Sequence, residues 1–529
     1  MVSPLLVLGV FTLALKPITD PDFFWHLATG KLIVSSRGIP RRDPFSHTVR
    51  GKPWVCHEWV AEVVIYAIHS AGGQVALIAT FAALITATFT LLYIRCLRRL
   101  RQPGWRSSLL LSMTARKFSR RENFLAALGT ILAALASMPT WGVRPQMVSM
   151  LLASVFLYCL ETVDERLKAQ GWPPGWLAFM LLLQTLWVNA HGAYPMGMVF
   201  TAAYIAAAPL EDRWWKHKWL ALIPFLCLSL VVSAFLSPYG VRILTYPLET
   251  LASGAMREYI VEWASPDFHE LRFQPLALLL LSLMGILAQS GKRVRVVDIL
   301  LLVGTGYAAL SSARHIPFFT LMAAPVLVEA AAATALPGLE AASCLSACGG
   351  KQPGSQRASI AVAVILVIAQ AAGTGVQLSR VVQLNRTAQE ANYPVKALAF
   401  IEAEGIEGKI LNTYHWGGYL IWRGYPVFID GRADVYGDRF LEDYAALYRG
   451  KADWREMVGR YPVDYALLEP DAPLSNLLRQ SASWELVYED EVAVVFILLP
   501  ETAGFSHPMV WDVGLLATVP GKPTAFSHQ

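Results

Sequence analysis

Two aspartates flank one proline near the start of the chain, in the segment DPDFFWH. Because proline fixes its own backbone angle, Asp20 and Asp22 are expected to present their carboxylates close together. Such a pair can bind a divalent cation, Mg²⁺ or Mn²⁺, through oxygen ligands. Alternatively, one carboxylate can act as a general base while the other orients it. The spacing does not decide between these two uses.

A set of cationic side chains lies near the ends of apolar segments, where a charge is costly unless it has a partner. Arg144, in the sequence WGVRPQ, could pair with a phosphate group or with Asp20 or Asp22. Arginine suits phosphate because its planar guanidinium presents a rigid fork of donors. Taken singly, each side chain could equally reach out to the membrane surface, but as a set they favour an anion site. The candidate anion-binding residues are His26, Arg144, His191, Arg314 and His315.

A long loop, residues 237–272, contains two further candidates. It is expected to form a partly helical flap, and a flap beside a membrane groove often gates substrate entry. Within it, Glu262 and Asp267 could be second metal ligands or could contact the acceptor of a transfer reaction.

The sequence HEWVAE begins with a histidine and a glutamate, as zinc protease motifs do. Such a motif requires a second histidine one helical turn after the first. That position is occupied by Ala61, so the sequence excludes a zinc protease site of this kind at His57 and Glu58.

The composition indicates what must position these side chains. Of the 529 residues, 55 % are hydrophobic and 16 % are charged, and the mean hydropathy is +0.43. Soluble proteins carry about 25 % charged residues, so a soluble multidomain protein, a disordered chain and a coiled coil are excluded. Apolar stretches near the roughly 17–25 residues that span a bilayer recur along the chain. The predicted membrane helices, about eleven, lie near residues 2–16, 73–94, 123–139, 145–161, 175–190, 195–210, 219–236, 274–290, 296–311, 315–335 and 359–378.

The charges in the loops predict the orientation of these helices. The loop from Arg95 to Arg121 contains nine Lys and Arg residues and no acid, which indicates a cytoplasmic location. Counting helices from there places the first outer loop (17–72), the flap (237–272) and the C-terminal region outside. All candidate site residues then lie on the outer side, as is typical of a membrane enzyme site. The basic charge reports orientation and does not indicate nucleic-acid binding.

The chain is therefore expected to divide into a transmembrane domain, 1–378, an extracytoplasmic domain, 379–500, and an irregular tail, 501–529. From Ser379 onward the net charge is −7, whereas the preceding part carries +12. Short runs rich in Val, Ile and Tyr, separated by amphipathic stretches, predict that the second domain is a small α/β domain.

One of these runs, YPVFI, is followed by three charged residues, Asp430, Arg432 and Asp434. In α/β sheets, the loops that bind ligands usually follow the carboxyl ends of strands. We expect recognition or docking at this loop rather than independent catalysis.

The combined layout resembles the GT-C type membrane glycosyltransferases: an acidic motif after the first helix, interfacial helices in the first outer loop, about eleven membrane helices and an external C-terminal domain. Asp20 and Asp22 match the first-loop acidic motif of that superfamily. The first loop and the string YHWGGYLIW…FIDGRADVYG closely resemble a group of bacterial membrane proteins described only as glycosyltransferase-like. The string is also similar to the WWDYG element of oligosaccharyltransferases. Trp416 stands where that element has its aspartate, which argues against a peptide-sequon acceptor.

The resemblance implies a multi-pass enzyme of the bacterial inner membrane, in contact with membrane lipids. It would move a sugar from a polyprenyl-phosphate or polyprenyl-diphosphate donor to an acceptor glycan, lipid or protein on the outer face. Asp20, with Asp22, would activate the acceptor hydroxyl, and Arg144 and Arg314 would hold the departing lipid phosphate. No cofactor beyond the divalent cation is implied. Two alternatives stay open: a lipid-linked glycan transporter or polymerase accessory without bond chemistry, and a structural membrane protein whose tail binds a partner.

Overall fold

The computed structural model describes residues 2–100, 119–169, 171–211, 215–334, 353–451 and 453–499. Within these ranges, long helices account for most of the chain as far as Asn392, and one small sheet follows them. The predicted irregular tail, 501–529, and most of the basic loop that predicts the orientation lie outside the described residues.

The helices as far as Asn392 contain all eleven apolar segments predicted from the sequence. Seven of the described helices are long and apolar enough to cross a membrane, so the chain is a multi-pass membrane protein. The helices are α1 (Val2–Ala14), α2 (Phe23–Ser36), α3 (Trp59–Arg99), α4 (Arg120–Ser137), α5 (Gln146–Lys168), α6 (Pro174–Ala190), α7 (Pro195–Glu211), α8 (Trp215–Leu236), α9 (Arg242–Ala252), α10 (Gly254–Tyr259), α11 (Gln274–Ser290), α12 (Val296–Ser311), α13 (Ile316–Ala333) and α14 (Pro353–Asn392). The seven that satisfy the length and hydropathy of a span are α3, α4, α5, α8, α11, α13 and α14.

The other four predicted spans, α1, α6, α7 and α12, are helical but have only 13 to 17 residues each. The structure thus confirms the helical membrane architecture, while the count of eleven spans is supported only in part.

Helix α3 joins two elements that the sequence pattern separates, an interfacial helix and a membrane helix. Its 41 residues are interrupted only at Gly72 and Gly73, whose backbone angles are not helical. Gly73 has φ of 62°, a conformation that costs a glycine little. The two glycines bend the helix where it passes from the outer surface into the apolar region.

Helix α2 buries most of its first two turns, including Phe24, Trp25 and Leu27. These side chains pack in the core of the protein. Helix α2 packs on the first turns of α3, where Gly30 meets the partner backbone directly. A Cβ atom on Gly30 would lie 2.1 Å from the carbonyl oxygen of Glu62, so no other residue fits there without a shift of one helix.

Buried ion pairs join helices α3, α5 and α12 beside the predicted cytoplasmic loop. Arg95 donates to Glu161 at 2.9 Å, and Arg99 donates to both oxygens of Asp298 at 2.9 Å. Arg295 shares Asp298 at 2.8 Å. Part of the basic charge from which a cytoplasmic side was predicted is therefore matched by acids of α5 and α12, a feature that loop charge alone did not reveal.

After α14, the described chain forms a four-stranded sheet with short helices around it. The strand order is β1-β2-β4-β3, with β1 parallel to β2 and the other pairs antiparallel. The elements are α15 (Val395–Ala403), β1 (Ile410–Asn412), α16 (Gly417–Arg423), α17 (Ala433–Tyr436), α18 (Asp438–Tyr448), α19 (Trp454–Arg460), β2 (Tyr465–Leu468), α20 (Pro473–Arg479), β3 (Trp484–Glu489) and β4 (Val494–Leu498). The arrangement agrees with the α/β class predicted for this region.

The junction with the membrane part differs from the predicted domain boundary at 378, because α14 continues without interruption to Asn392. The backbone carbonyl of Asn392 accepts a hydrogen bond from the indole Nε1–H of Trp416 at 2.8 Å. The sheet region is thereby held directly against the end of this helix.

The run YPVFI is not a strand of this sheet, contrary to the prediction. Val427 instead forms an isolated parallel bridge with Ser46 of the first outer loop. The His47 N–H donates to the Val427 carbonyl at 2.9 Å, and the Val427 N–H donates to the Phe45 carbonyl at 3.1 Å. The pattern of alternating Val, Phe and Ile indicated an extended segment correctly, but its pairing partner lies nearly 400 residues away in sequence.

A buried ionic clamp fixes the same two regions to each other. Arg432 donates to Asp430 at 2.7 Å and to Asp43 of the first outer loop at 2.7 Å. Tyr436 donates a further hydrogen bond to Asp430 at 2.6 Å. The guanidinium also lies over the Trp54 ring, 4.8 Å from its centroid. Asp430 and Arg432, expected to form a ligand loop, thus serve to join the sheet region to the first outer loop.

Replacing the clamp arginine should release the sheet region from the first outer loop. We expect Arg432→Ala to cost roughly 3–5 kcal/mol, because it leaves two buried carboxylates without their cation. Proteolysis of the C-terminal region over a urea gradient, in detergent micelles, measures the effect. The matched control is Arg423→Ala, whose half-exposed pair with Glu402 should be worth about 0–1 kcal/mol. Equal urea midpoints for the two variants would contradict the clamp.

Candidate functional site

Three distant segments meet in an acid–arginine cluster at the outer end of the helices. Asp20 follows α1, Arg144 precedes α5, and Glu262 lies in a short 3-10 turn of the flap. The Arg144 guanidinium contacts the Asp20 carboxylate at 2.6 Å through Nε and also donates to Glu262 through Nη1. One arginine therefore joins the first outer loop, the membrane helices and the flap, as a costly charge at that depth requires.

Asp22 lies beside this cluster at the N-terminal end of α2. Its backbone N–H donates to the Asp20 carboxylate at 3.0 Å, which fixes the tight turn around the proline. In the described part of the chain, the Asp22 carboxylate itself has no ion pair and no hydrogen bond. Burial and the nearby Asp20 charge together raise the pKa of Asp22 to about 7, although Arg144 opposes the shift.

The sheet region closes over Asp22 at Gly431, in the loop that follows the YPVFI segment. A Cβ atom on Gly431 would lie 1.7 Å from an Asp22 carboxylate oxygen and 3.2 Å from the indole nitrogen of Trp25. Likewise, a Cβ on Gly418 would lie 2.7 Å from the Pro21 carbonyl oxygen. These two glycines let the C-terminal region approach the Asp-Pro-Asp turn at backbone distance.

Arg314 supplies a second guanidinium at the same end of the helices. It stacks on the flap residue Trp263, 4.6 Å from the ring centroid, and makes no ion pair in the described ranges. Its backbone carbonyl accepts from the Gln146 side chain at 2.8 Å, which fixes the short turn before α13. An arginine held in this way has its donors available for an anion. The adjacent His315 has a buried Nδ1 atom with no hydrogen-bond partner among the described residues.

A second cluster surrounds Glu58, immediately before α3. The Glu58 carboxylate contacts three imidazoles: His26 at 3.5 Å, His57 at 3.5 Å and His191 at 3.3 Å. His26 comes from α2, and His191 from the turn between α6 and α7. This buried carboxylate thus links the first outer loop to the membrane helices.

The hydrogen bonds around His191 assign its tautomer. Its Nδ1 accepts from the Ala193 N–H at 3.1 Å and lies 2.8 Å from the Ser149 hydroxyl. Ser149 accepts from the Trp187 indole at 2.7 Å, so its own hydroxyl proton is directed to His191. The imidazole therefore carries its proton on Nε2, the atom that lies 3.3 Å from the Glu58 carboxylate. Burial lowers the pKa of His191 to about 3, which keeps the ring neutral.

His26 also meets a second carboxylate. Its Nδ1 lies 3.2 Å from Glu62, one helical turn beyond Glu58, and the Cys56 thiol donates to the other Glu62 oxygen at 3.0 Å. One potential ligand atom from each of His26, Glu58 and Glu62 lies within 4.8 Å of the others. All three residues are buried.

The flap and the sheet region complete the enclosure at His57. The Tyr246 ring of α9 lies 4.7 Å from the imidazole of His57 and hydrogen bonds to Asp434. Burial raises the pKa of Asp434 to about 6, while the His57 charge opposes the shift. Residues from the first outer loop, the flap and the C-terminal region therefore share one polar interior.

The structure brings together five of the predicted residues, Asp20, Asp22, Arg144, Glu262 and Arg314. His26 and His191 contact carboxylates of the second cluster instead of lying at the first cluster. Asp267 is not brought to either: its side chain is 56 % exposed and pairs with His269 at 2.8 Å.

Two residues of the site were missed from the sequence, Glu62 and Gly431, whereas Asp434 belongs to the loop after YPVFI at which recognition was expected. A signal for Glu62 existed, because Glu58 and Glu62 are four residues apart and share one helix face. No comparable local signal identifies Gly431, since its proximity to Asp22 is a purely tertiary contact.

Comparison with known proteins gives the fold a context. No protein-family model matches the sequence, and no curated protein matches it. Among solved structures, the archaeal oligosaccharyltransferase AglB from Archaeoglobus fulgidus, in complex with an inhibitory peptide and a dolichol-phosphate, is similar with a TM-score of 0.56 and 11 % identity, over 88 % of this chain and 69 % of that chain. The same enzyme in complex with Zn and sulfate is similar with a TM-score of 0.52 and 11 % identity, over 88 % and 68 %.

A third match is ArnT from Cupriavidus metallidurans bound to undecaprenyl phosphate, with a TM-score of 0.49 and 14 % identity, over 94 % of this chain and 97 % of that chain. At this identity, the similarity to the oligosaccharyltransferase shows that this chain shares its fold, and it shows the fold alone.

The pKa of Asp22 can be measured directly. We expect its protonated carboxyl band, isolated as the infrared difference between wild type and Asp22→Asn, to disappear with a midpoint near pH 7. The group binds its proton more tightly than an ordinary aspartate because its charge is buried beside Asp20. Asp20→Asn should therefore move the midpoint to lower pH. A midpoint at roughly pH 4, the ordinary value, would contradict the described environment.

Proposed function

We propose that the protein is an integral membrane glycosyltransferase that moves a sugar from a polyprenyl-phosphate or polyprenyl-diphosphate donor to an acceptor on the outer face. The observation that carries the proposal is the Asp22 carboxylate. It forms no ion pair with a cationic side chain among the described residues, it lies near Arg144, and it belongs to a GT-C-type fold. The dolichol-phosphate of the AglB complex and the undecaprenyl phosphate of the ArnT complex are lipids of the proposed donor class.

In this proposal, Asp22 is the general base. It accepts the proton of the acceptor hydroxyl while the acceptor oxygen forms a bond to the anomeric carbon of the sugar. The bond between that carbon and the phosphate oxygen breaks, and its electron pair leaves with the lipid phosphate. A carboxylate with a pKa near 7 is well suited to accept a proton near neutral pH. Asp20, already paired with Arg144, acts by holding that arginine in place.

Negative charge builds on the leaving phosphate, and this charge must be stabilised for the bond to break. Arg314 makes no ion pair in the described ranges, and Arg144 lies between two carboxylates. Positioned cations that meet charge as it develops lower the barrier more than cations that must first reorganise. We propose that Arg314 contacts the phosphate first and that His315 borders it. His26 and His191 support the pocket through Glu58.

In an alternative form of the proposal, Asp20 and Asp22 bind a divalent cation, Mg²⁺ or Mn²⁺. Arg144 already contacts the Asp20 carboxylate at 2.6 Å, so such a cation would share that carboxylate with the guanidinium. No step described above requires it. Glu262 faces the same pair through Arg144 and would be the nearest additional carboxylate, whereas exposed Asp267 would not take part.

The C-terminal region and the flap fit a role in acceptor recognition. Gly431 covers Asp22, and Tyr246 and Asp434 close the neighbouring pocket. An acceptor must therefore approach between these elements and the membrane helices. We propose that acceptor choice lies in these covering segments, and that the acceptor is a glycan, a lipid or a protein.

Loss of the proposed base should remove transfer while leaving the protein folded. We expect Asp22→Asn to lower transfer by roughly 10²–10⁴-fold, the usual contribution of a general base. The assay incubates purified protein with labelled polyprenyl-phosphate sugars and a membrane extract as acceptor pool, with and without EDTA. Asp20→Asn should reduce transfer and also shift its pH profile to lower pH.

The matched control for this series is Asp267→Asn, an exposed acid of the same flap, which should leave transfer unchanged. Transfer at the wild-type rate by Asp22→Asn would refute its role as base. Donor binding without any turnover by the wild type would favour the transporter or accessory function instead.

The proposed orientation, in the inner membrane of a bacterium, places the C-terminal region outside and the basic loop inside. We expect alkaline phosphatase fused after Pro500 to be active and the same enzyme fused after Arg106 to be inactive, because this phosphatase folds only where disulfides form. The reverse pattern would place the site on the cytoplasmic face and exclude an outer-face acceptor.

A further inference from the structure

The cluster of His26, Glu58 and Glu62 has the composition of a metal site and lies outside the acid–arginine cluster. The three side chains come from two helices, since His26 is on α2 and the two glutamates are at the start of α3. Their exposed fractions are 5 %, 9 % and 1 %. Buried carboxylates are rare unless they are paired or bind a metal, so two of them facing one imidazole require an explanation.

The distances from His26 to the two carboxylates are compatible with the spacing of ligands around zinc, and all three ligand atoms lie within 4.8 Å of one another. The Nδ1 atom of His26 lies 3.2 Å from Glu62 Oε1 and 3.5 Å from Glu58 Oε2. For a tetrahedral ion with bonds of about 2.05 Å, the ligand atoms are about 3.3 Å apart. A single Nδ1 proton can make one good hydrogen bond, whereas both carboxylates approach this nitrogen. A cation in place of that proton would satisfy both carboxylates.

Neighbouring groups hold the ligands as the outer contacts of a metal site do. His57 and the neutral His191 bind the remaining oxygen of Glu58, which orients its carboxylate. The Cys56 thiol lies 3.0 Å from Glu62 Oε2 and is 2 % exposed. Its sulfur is not one of the three mutually close ligand atoms, so binding as a fourth ligand of the kind that zinc prefers requires the thiol to turn from Glu62 toward the ion. The close contact at Gly30, one turn after His26, brings the two helices near enough for the ligands to meet.

We propose that His26, Glu58 and Glu62 bind one Zn²⁺ ion, with Cys56 as fourth ligand. The set of one imidazole, two carboxylates and a thiol suits zinc better than Mg²⁺ or Mn²⁺, which prefer oxygen ligands alone. The ion fastens α2 to α3 and thereby fixes the turn that carries Asp22. This site differs from the HExxH zinc motif that the sequence excludes, because His57 is not a ligand and the ligating imidazole, that of His26, lies on another helix.

The test uses the full-length protein in detergent, stripped with EDTA and then titrated with ZnSO₄ alone. We expect one zinc per chain by mass spectrometry of the washed protein, and a higher melting temperature with zinc than without it. His26→Gln and Glu62→Gln should each lower zinc affinity by more than about 100-fold. Glu62→His keeps a ligand at that position and should retain zinc, which separates ligation from a merely structural role.

A cobalt spectrum and two control variants test whether the zinc ligands are the proposed residues. Substitution by Co²⁺ should give an absorption band of a thiolate ligand that is absent in Cys56→Ser. The controls are Asp22→Asn, at the acid–arginine cluster, and His47→Gln, at a histidine outside both clusters; both should bind zinc like the wild type. Because zinc binding is measured without a sugar donor, its outcome is independent of whether transfer occurs.

The proposal is overturned by any of three results: substoichiometric zinc in the titrated wild type, undiminished zinc in Glu62→Gln, or loss of zinc in Asp22→Asn. Variants that fail to fold are recognised by gel filtration before titration. In that case the Cys56→Ser spectrum and the Glu62→His variant decide the outcome.

Discussion

The close approach of α2 to α3 at Gly30 is the contact on which the outer half of the molecule depends. Helix α2 carries Asp22 at its beginning and His26 one turn later, and α3 presents Glu58 and Glu62. Because a Cβ atom at position 30 would meet the Glu62 carbonyl at 2.1 Å, the distance between the helices is set by the backbone itself. The cluster around Glu58 therefore inherits its geometry from one helix crossing, and a side chain larger than hydrogen at this point would separate His26 from Glu58 and Glu62.

Charged side chains are paired differently at the two ends of the membrane helices. At the end near the predicted cytoplasmic loop, Arg95 and Arg99 form short, buried ion pairs with Glu161 and Asp298. Such pairs hold the helices in register without offering a free group to a ligand. At the outer end, Asp22 has no cation of its own and Arg314 has no acid of its own within the described ranges. Partners left open in this way characterise a binding site, whereas matched charges characterise a scaffold.

The sequence was sufficient to predict features that depend on local pattern. Apolar length located all seven helices that are long and apolar enough to span a bilayer in the described ranges. The Asp-Pro-Asp motif and Arg144 were identified because costly charges at helix ends need partners. The pairing of YPVFI with Ser46 could not be predicted, since an extended segment does not reveal which distant strand it meets. For the same reason His26 was expected at a phosphate and lies between two glutamates, and Arg432 was expected at a ligand and forms a clamp. Local chemistry indicates that a residue has a partner, and only the fold decides which one.

Helix α14 mechanically couples the sheet region to the turn that carries the two aspartates. At 1.5 Å per residue its 40 residues extend about 60 Å, roughly twice the thickness of the hydrocarbon core of a bilayer. Near its end, Asn385 accepts the Ile18 N–H at 2.7 Å, and the carbonyl of Asn392 accepts from Trp416 at 2.8 Å. Because one helix end holds both the segment before Asp20 and the sheet region that covers Asp22, a displacement of this helix would move the two together.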